Sequence, residues 1–251
     1  MSLPAPVASV VRRRPAAAGA GSAACGNRLL DALPRSGRAR LLASGKRVDL
    51  RPGLVLYEPG QRIRYAWFPL EGFMGLCTRP SHPARREVDL VGYEGMLGAP
   101  LVLGVAESGQ RALVLGAGVA LRIGAAALRR ELRRGGAFRR LLNRYVYVLM
   151  MQLVQNATCV ASHKIEQRLA RLLLMSQDRA KAEALNITQA SLAEMLGVRR
   201  VGVTEAAGAL QRLGYIRYSR GRVAVTDRPG LEHAACGCYR AACASHRRWL
   251  G

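Results

Sequence analysis

Residues 187–226 read ITQASLAEMLGVRRVGVTEAAGALQRLGYIRYSRGRVAVT, a stretch with two short amphipathic patterns separated by a glycine. Thr188 precedes an apolar repeat that includes Leu192 and Leu196. It is predicted to be the N-cap of a first helix, because its hydroxyl oxygen can accept a hydrogen bond from a free amide of the first turn. Gly197 is predicted to end that helix in a left-handed conformation, which costs glycine little.

A second helix is predicted to start near Val198 and to be followed directly by a hairpin. Its apolar face consists of Val203, Ala206, Ala207 and Leu210. The β-prone runs 215–218 and 222–226 flank Ser219, Arg220 and Gly221, so the hairpin tip carries a cation. Two helices around a tight turn, followed by a two-stranded hairpin, indicate a winged helix-turn-helix.

The charge of the chain favours a polyanionic partner. The 251 residues have a net charge of +23, and residues 161–228 contain twelve Lys and Arg against six Asp and Glu. The phosphates of double-stranded DNA are the obvious counter-charge. Part of the overall excess reflects the Arg-rich composition, so the total alone decides little. No apolar run approaches the roughly 18 residues of a membrane span, and six cysteines in a chain of this length suggest free thiols in a cytoplasmic protein rather than a disulfide scaffold.

The remaining sequence predicts further domains. Turn signals at 51–53, 59–60, 71–72 and 94–95 separate short β-prone runs, which indicates an antiparallel barrel or roll. The fold class is therefore α+β, with five expected segments. They are a disordered tail (1–27), a β-roll sensor domain (28–124), a dimerisation helix (125–161), a winged helix-turn-helix domain (162–235) and a Cys-containing C-terminal tail (236–251).

An apolar seam runs along the predicted long helix. It contains Phe138, Leu142, Tyr145, Leu149, Gln152, Asn156 and Cys159, at spacings of three and four. Pairing with a second copy of the chain is the simplest cover for such a seam, and Gln152 and Asn156 would then fix its register. Packing of the seam on the chain's own β-roll is the alternative. Ser162 is predicted to cap the next helix, with a hinge near Ala161.

The order of roll, long helix, hinge and winged domain resembles the Crp/Fnr family of bacterial transcription regulators. The resemblance covers about residues 28–235 and is most specific in ITQASLAEMLGVRR, LQRLGYIRYSRGRV and IEQRLARLLL. It implies a cyclic-nucleotide-binding-like double-stranded β-helix, and a homodimer that places the second helix of each winged domain in the major groove of a palindromic operator. RNA polymerase is a further possible partner, whereas a membrane is not expected.

The same resemblance suggests the residues that contact DNA. Arg200 takes the place of the family's widely shared guanine-reading Arg, while Val201 and Glu205 depart from the pattern of some relatives. The expected DNA-binding set is Thr188, Gln189, Arg199, Arg200, Thr204, Glu205, Arg220 and Arg222. Within it, Arg199, Thr204, Arg220 and Arg222 are candidates for phosphate or flanking contacts.

Cyclic AMP is disfavoured as the effector of the predicted roll. The stretch that matches the family's phosphate cassette leads from Gly98 to Arg111 and Ala112, but it lacks the ribose-binding carboxylate. The adenine-contacting Thr-Ser pair of cyclic-AMP-binding relatives falls near Leu153 and Val154, which cannot replace its hydrogen bonds. Gly98, Arg111 and Ala112 remain candidates for binding another effector, and Arg111 is equally plausible as a surface cation or a partner of Glu107.

The C-terminal cysteines allow a metal site without favouring one. Cys236, Cys238 and Cys243 could ligate Zn²⁺ or an iron–sulfur centre. Their spacing matches no well-known ligand pattern, so reduced thiols on a terminal helix or tail are the favoured interpretation.

Two other function classes were weighed. An enzyme is not expected, because the four histidines are far apart and no nucleophile or phosphate-binding motif accompanies them. A basic RNA-binding or ribosome-associated protein is the alternative function, given the pI near 11.3. The sequence lacks the aromatic strand or GxxG clamp of common RNA-binding modules.

Overall fold

The computed structural model describes residues 24–78, 88–180, 182 and 184–251, and its N-terminal half is an antiparallel β-roll. Two helices, α1 (Arg28–Asp31) and α2 (Arg35–Ser44), precede strands β1 (Gly45–Leu50), β2 (Val55–Tyr57), β3 (Tyr65–Cys77), β4 (Val88–Val91) and β5 (Arg111–Gly124). A 3-10 helix spans Ala99–Leu103. The strand order is β1-β5-β3-β4, β2 also pairs with β5, and all pairings are antiparallel.

The C-terminal half is helical apart from a three-stranded sheet. It contains α3 (Ala125–Arg133), α4 (Gly136–Ser162), α5 (Ile165–Ala180), β6 (Ala184–Asn186), α6 (Gln189–Leu196), α7 (Arg200–Arg212), β7 (Ile216–Ser219), β8 (Arg222–Val225), α8 (Arg228–Ala234) and α9 (Cys238–Leu250). The small sheet has the order β6-β8-β7. These elements confirm the predicted α+β fold of roll, long helix and winged helix-turn-helix.

One predicted turn in the roll is wrong. Gly53 and Gly60 lie in turns with positive φ, as their sequence context predicts. Gly72, in contrast, lies inside β3, where the register against β5 shifts on both sides of Glu71. A Cβ atom on Gly72 would lie 2.4 Å from the carbonyl oxygen of Ala117, so glycine permits a close approach of two strands here. A lone glycine in a β-prone run is compatible with a turn or with a bulge, and only the strand partner decides.

The predicted dimer seam of α4 is covered by the chain itself. Its members Phe138, Leu142, Tyr145, Gln152 and Cys159 are buried, and Leu149 and Asn156 are partly buried. The Tyr145 hydroxyl accepts a hydrogen bond from the Met96 amide (3.0 Å) and donates one to the Met96 carbonyl (2.9 Å). The assignment of this seam to a dimer is therefore wrong, because the periodicity identifies an apolar stripe but not the surface that covers it.

The hinge lies two residues after the predicted position. Ser162 is the last residue of α4 rather than the cap of α5, and His163 has extended backbone angles. The Lys164 amide donates to Gln167 Oε1 at the start of α5 (3.2 Å). The sequence signal was misleading because serine is common both at the end of one helix and before the next.

The two ends of the chain differ from the tails that the sequence predicts. Residues 1–23 of the predicted N-terminal tail lie outside the described residues. Asn27 is fully buried and donates to the carbonyls of Pro69 and Gly95, both at 2.9 Å. Residues 236–251 form α9, which packs against α4 with the rings of Tyr147 and Trp249 5.1 Å apart. Within the described residues, no helix has both the length and the hydropathy that crossing a membrane requires.

Two buried polar contacts join the roll to the helices that follow it. Gln152 Nε2 of α4 donates to Asp89 Oδ1 of β4 (2.7 Å). Arg179 of α5 forms an ion pair with Glu94 (2.8 Å). The winged domain is thus linked through α5 to the loop after β4, and the roll contacts both α4 and α5.

The carboxyl group of Asp89 makes the stability of this junction depend on pH. Burial raises the pKa of Asp89 from 3.8 to about 6, although the charge of Arg179 acts in the opposite direction. Between these values the folded chain holds a proton that the unfolded chain releases, so this contribution to stability is lost as pH rises from about 4 to 6. Asp89→Asn keeps an oxygen acceptor for Gln152 and cannot ionise. Relative to wild type, its free energy of unfolding in urea is expected to increase by about 1–3 kcal/mol between pH 4 and pH 7, and parallel pH profiles would contradict the assignment.

Candidate nucleic-acid interface

Helix α6 begins and ends at the predicted residues. The Thr188 hydroxyl oxygen accepts a hydrogen bond from the Ser191 amide at 3.1 Å, which satisfies one of the free donors of the first turn. Gly197 has φ +63°, and its amide bonds back to carbonyls of the last turn. These local devices fix the corner from which α7 leaves.

Helix α7 starts two residues later than the sequence suggests. Arg199 is its N-cap residue and Arg200 its first helical residue, because Val198 belongs to the turn. The predicted apolar face of Val203, Ala206, Ala207 and Leu210 is buried. The Arg168 guanidinium of α5 donates to the Leu196 carbonyl, so α5 supports the corner between α6 and α7.

The opposite face of the winged domain contains the predicted DNA-binding residues. Seven of them are exposed: Thr188, Arg199, Arg200, Thr204, Glu205, Arg220 and Arg222. Gln189 is partly buried and accepts a hydrogen bond from the Thr204 hydroxyl through Oε1 (2.9 Å). The structure thus joins Gln189 of α6 to Thr204 of α7 and leaves the cations at the start of α7 open to solvent.

The wing ends in a two-residue turn with an unusual residue in it. Ser219 pairs with Arg222, and Arg220 and Gly221 between them both have positive φ, +48° and +76°. Two such residues in succession characterise a type I′ turn, for which Asn-Gly is a preferred sequence. An Arg in the left-handed region costs roughly 1–2 kcal/mol. Arg220 is the one non-glycine residue with positive φ in the part of the chain that the structure describes.

The structure adds Val201 to the candidate contact residues. It follows Arg200 on α7 and is 60% exposed, although a valine gains nothing from water. A side chain of this type at the start of a reading helix fits the C5-methyl group of thymine. The sequence analysis treated Val201 only as a departure from the family pattern, although an apolar residue on the polar side of the helical period was a usable signal.

The predicted effector residues are not arranged as a free phosphate site. Arg111 Nε forms an ion pair with Glu58 Oε1 (3.1 Å), a partner different from the proposed Glu107. Ala112 is fully buried, and Gly98 has φ +97° before the 3-10 helix. None of Gly98, Arg111 and Ala112 lines the cavity of about 200 Å³ between the roll, α4, α5 and α6.

The cysteines are grouped differently from the sequence proposal. Cys236 and Cys238 are buried together with Cys159 of α4, which the sequence analysis assigned to the dimer seam. Cys243 instead packs at the edge of the winged-domain core, where burial raises its pKa. A hydrogen bond from Cys236 lowers the pKa of Cys159, and the positive charge of Arg171 acts in the same direction.

Comparisons with known proteins agree with this architecture. The family of Crp-like helix-turn-helix domains matches residues 167–234, which extend from α5 through α8. A comparison with curated proteins finds no match.

Several solved structures have the same fold. FixK2 from Bradyrhizobium japonicum is 13% identical, with a TM-score of 0.65 over 76% of this chain and 98% of that one. A putative Crp/Fnr-family transcriptional regulator from Eubacterium rectale is 15% identical, with a TM-score of 0.59 over 82% and 96% of the two chains. TTHB099, a CRP-family regulator from Thermus thermophilus, is 21% identical, with a TM-score of 0.58 over 76% and 96%. At these identities the likeness concerns the fold, and the matched helix-turn-helix domain adds the family: the chain belongs to the Crp/Fnr family of DNA-binding transcription regulators.

Proposed function

We propose that this protein binds a two-fold-related operator as a homodimer, with α7 of each protomer in the major groove and the wing beside it. The observation that carries the proposal is the exposed pair Arg199 and Arg200 at the first turn of α7, on a domain that supplies Arg220 at the tip of its wing. The positive end of the helix dipole lies at the same place and attracts phosphate. In this proposal, residues 28–124 act as sensor, 125–161 as dimerisation segment and 162–235 as reader.

A second apolar stripe on α4 supports the homodimer. Its most exposed members are Met150, Leu153 and Val154, and Tyr147, Met151 and Val160 flank them. From residue 145 to residue 162 the helix contains no charged side chain. A solvent-facing patch of this size without charge marks an interaction surface, and a helix stripe at three- and four-residue spacing can pair with its own copy across a two-fold axis.

The effector and the further partners stay at the level of proposal. The ion pair of Arg111 with Glu58 competes with any phosphate for the same guanidinium, and the exposed Leu153 and Val154 offer no hydrogen bond to an adenine. We therefore propose an effector other than cyclic AMP, or none. Contact with RNA polymerase, a cytoplasmic location and the lack of catalytic activity belong to the same proposal.

Selection of bound sequences from a random duplex library tests the proposal directly. We expect enrichment of inverted half-sites whose centres lie about 10 base pairs apart, because two α7 helices related by a two-fold axis meet successive major-groove turns. The affinity for the selected duplex should fall about 10³-fold or more between 50 and 200 mM salt, as expected for about 6–10 phosphate contacts.

The alternative of an RNA-binding protein predicts a different result. An RNA competitor of matched length would then displace the selected duplex at equal concentration. No observation on the described residues favours this outcome. Enrichment of single half-sites without symmetry, or no enrichment at all, would overturn the homodimer on an operator.

A further inference from the structure

Three cysteines and one histidine meet where the long helix ends. The Sγ atoms of Cys159, Cys236 and Cys238 and a ring nitrogen of His163 all lie within 4.8 Å of one another. The Cys159 and Cys236 sulfurs are 3.5 Å apart, and Cys238 Sγ lies 3.6 Å from His163 Nδ1. Cys159 and His163 come from the end of α4 and the hinge, whereas Cys236 and Cys238 come from the connection between α8 and α9.

This group is poorly explained as ordinary packing. The three cysteines are 1–4% exposed and form a buried cluster of their own, separate from the two large hydrophobic cores. A disulfide between two of them would leave the third sulfur and the imidazole unexplained. Cysteine sulfur and histidine nitrogen are the preferred ligands of Zn²⁺, and Cys₃His is an established donor set for structural zinc.

We propose that Cys159, His163, Cys236 and Cys238 bind one Zn²⁺ ion in a tetrahedral site that ties the C-terminal helix to the hinge. Bonds of about 2.0–2.3 Å around a tetrahedral centre place neighbouring ligand atoms roughly 3.3–3.8 Å apart. The two distances of 3.5 and 3.6 Å fit this requirement. An iron–sulfur cluster distributes its ligands over several iron atoms and would need them farther apart.

The surroundings of the four ligands suit the charge of the complex. Three thiolates and a dication leave one net negative charge, and the buried Arg171 guanidinium interacts with Cys159. Gln155 Nε2 donates to Cys238 Sγ at 3.0 Å. Hydrogen bonds and cations of this kind orient the ligands of metal sites and moderate the charge on sulfur.

The position of the site gives the ion a mechanical consequence. His163 lies between α4 and α5, so an ion bound to it and to Cys159 would fix the direction in which α5 leaves the long helix. Cys236 and Cys238 would hold α9 in its place along α4, just after the matched helix-turn-helix domain. Metal occupancy would then set the distance between the two reading helices of a dimer, a consequence that rests on the proposed operator binding.

The metal content of the full-length protein tests the site without reference to DNA. After reducing purification with zinc present and desalting, we expect about one zinc ion per chain by elemental analysis. Refolding with Co²⁺ should give the visible bands of a tetrahedral thiolate site. Cys236→Ser and His163→Gln should each reduce zinc to a small fraction of one ion, whereas Cys243→Ser, on the same terminal segment but outside the group, should keep it.

Each alternative result has a defined meaning. Wild-type protein without zinc and without cobalt bands would overturn the site, as would equal loss of zinc in Cys243→Ser. Iron with acid-labile sulfide, or a disulfide between Cys159 and Cys236 in reduced protein, would replace it by a cluster or a thiol pair. Circular dichroism checks that the variants fold, and His163→Gln provides a variant with all thiols intact. Zinc bound at full stoichiometry by a protein that ignores DNA would refute only the proposed function.

Discussion

Val154→Glu is expected to convert the protein into a monomer and to lower its affinity for a two-half-site operator about 100-fold or more. Val154 is 62% exposed and lies in the uncharged stripe of α4, next to Leu153 and four residues after Met150. A two-fold axis along this stripe would bring the two new carboxylates close to each other in a surface without cations. Like charges that lose water on pairing repel, so the dimer is disfavoured.

The fold of a single chain should tolerate this change, because the opposite face of α4 carries its internal packing. Val105→Glu is the matched control: it makes the same substitution at a valine that is 50% exposed on the roll. Light scattering after size exclusion gives the mass, and fluorescence anisotropy on full and half operators gives the affinity. A Val154→Glu protein that keeps the mass and operator affinity of a wild-type dimer would show that another surface pairs the chains.

The winged domain could be read from the sequence because its decisive contacts are local. The Thr188 hydroxyl caps a helix three residues away, and Gly197 closes the same helix through amides of its own last turn. Gly221 likewise fixes the hairpin within four residues. Such signals act over a few residues and depend little on the rest of the molecule.

The long helix could be located but its two faces could not be assigned. Helix α4 has one apolar stripe through Leu142 and Tyr145 and another through Met150 and Val154, both at helical spacing. Only tertiary contacts distinguish them, such as the bonds of Tyr145 to Met96 across 49 residues. The cysteine group is a more extreme case, because Cys159 and Cys236 meet across 77 residues and no local spacing rule relates them.

Removal of the Arg200 side chain should reduce sequence discrimination more than overall affinity for DNA. Arg200 is exposed at the first turn of α7, where a guanidinium can donate two hydrogen bonds to guanine O6 and N7. Arg200→Ala is expected to lower the preference for the selected operator over a variant with that guanine changed by about 5- to 150-fold, equivalent to roughly 1–3 kcal/mol. Arg200→Lys should recover little, because an ammonium lacks the planar fork.

The wing provides the comparison that separates reading from attraction. Arg220→Gly removes the charge while meeting the positive φ of the turn, so the hairpin is expected to keep or gain stability. If Arg220 meets a phosphate, all duplexes should weaken alike and the salt slope should decrease by about 1 per site contacted. Arg212→Ala, at the exposed far end of α7, serves as the control for loss of one positive charge. Equal losses on every duplex for Arg200→Ala and Arg220→Gly would assign both side chains to the phosphate backbone, and base recognition would then rest on Val201, Thr204 and Glu205.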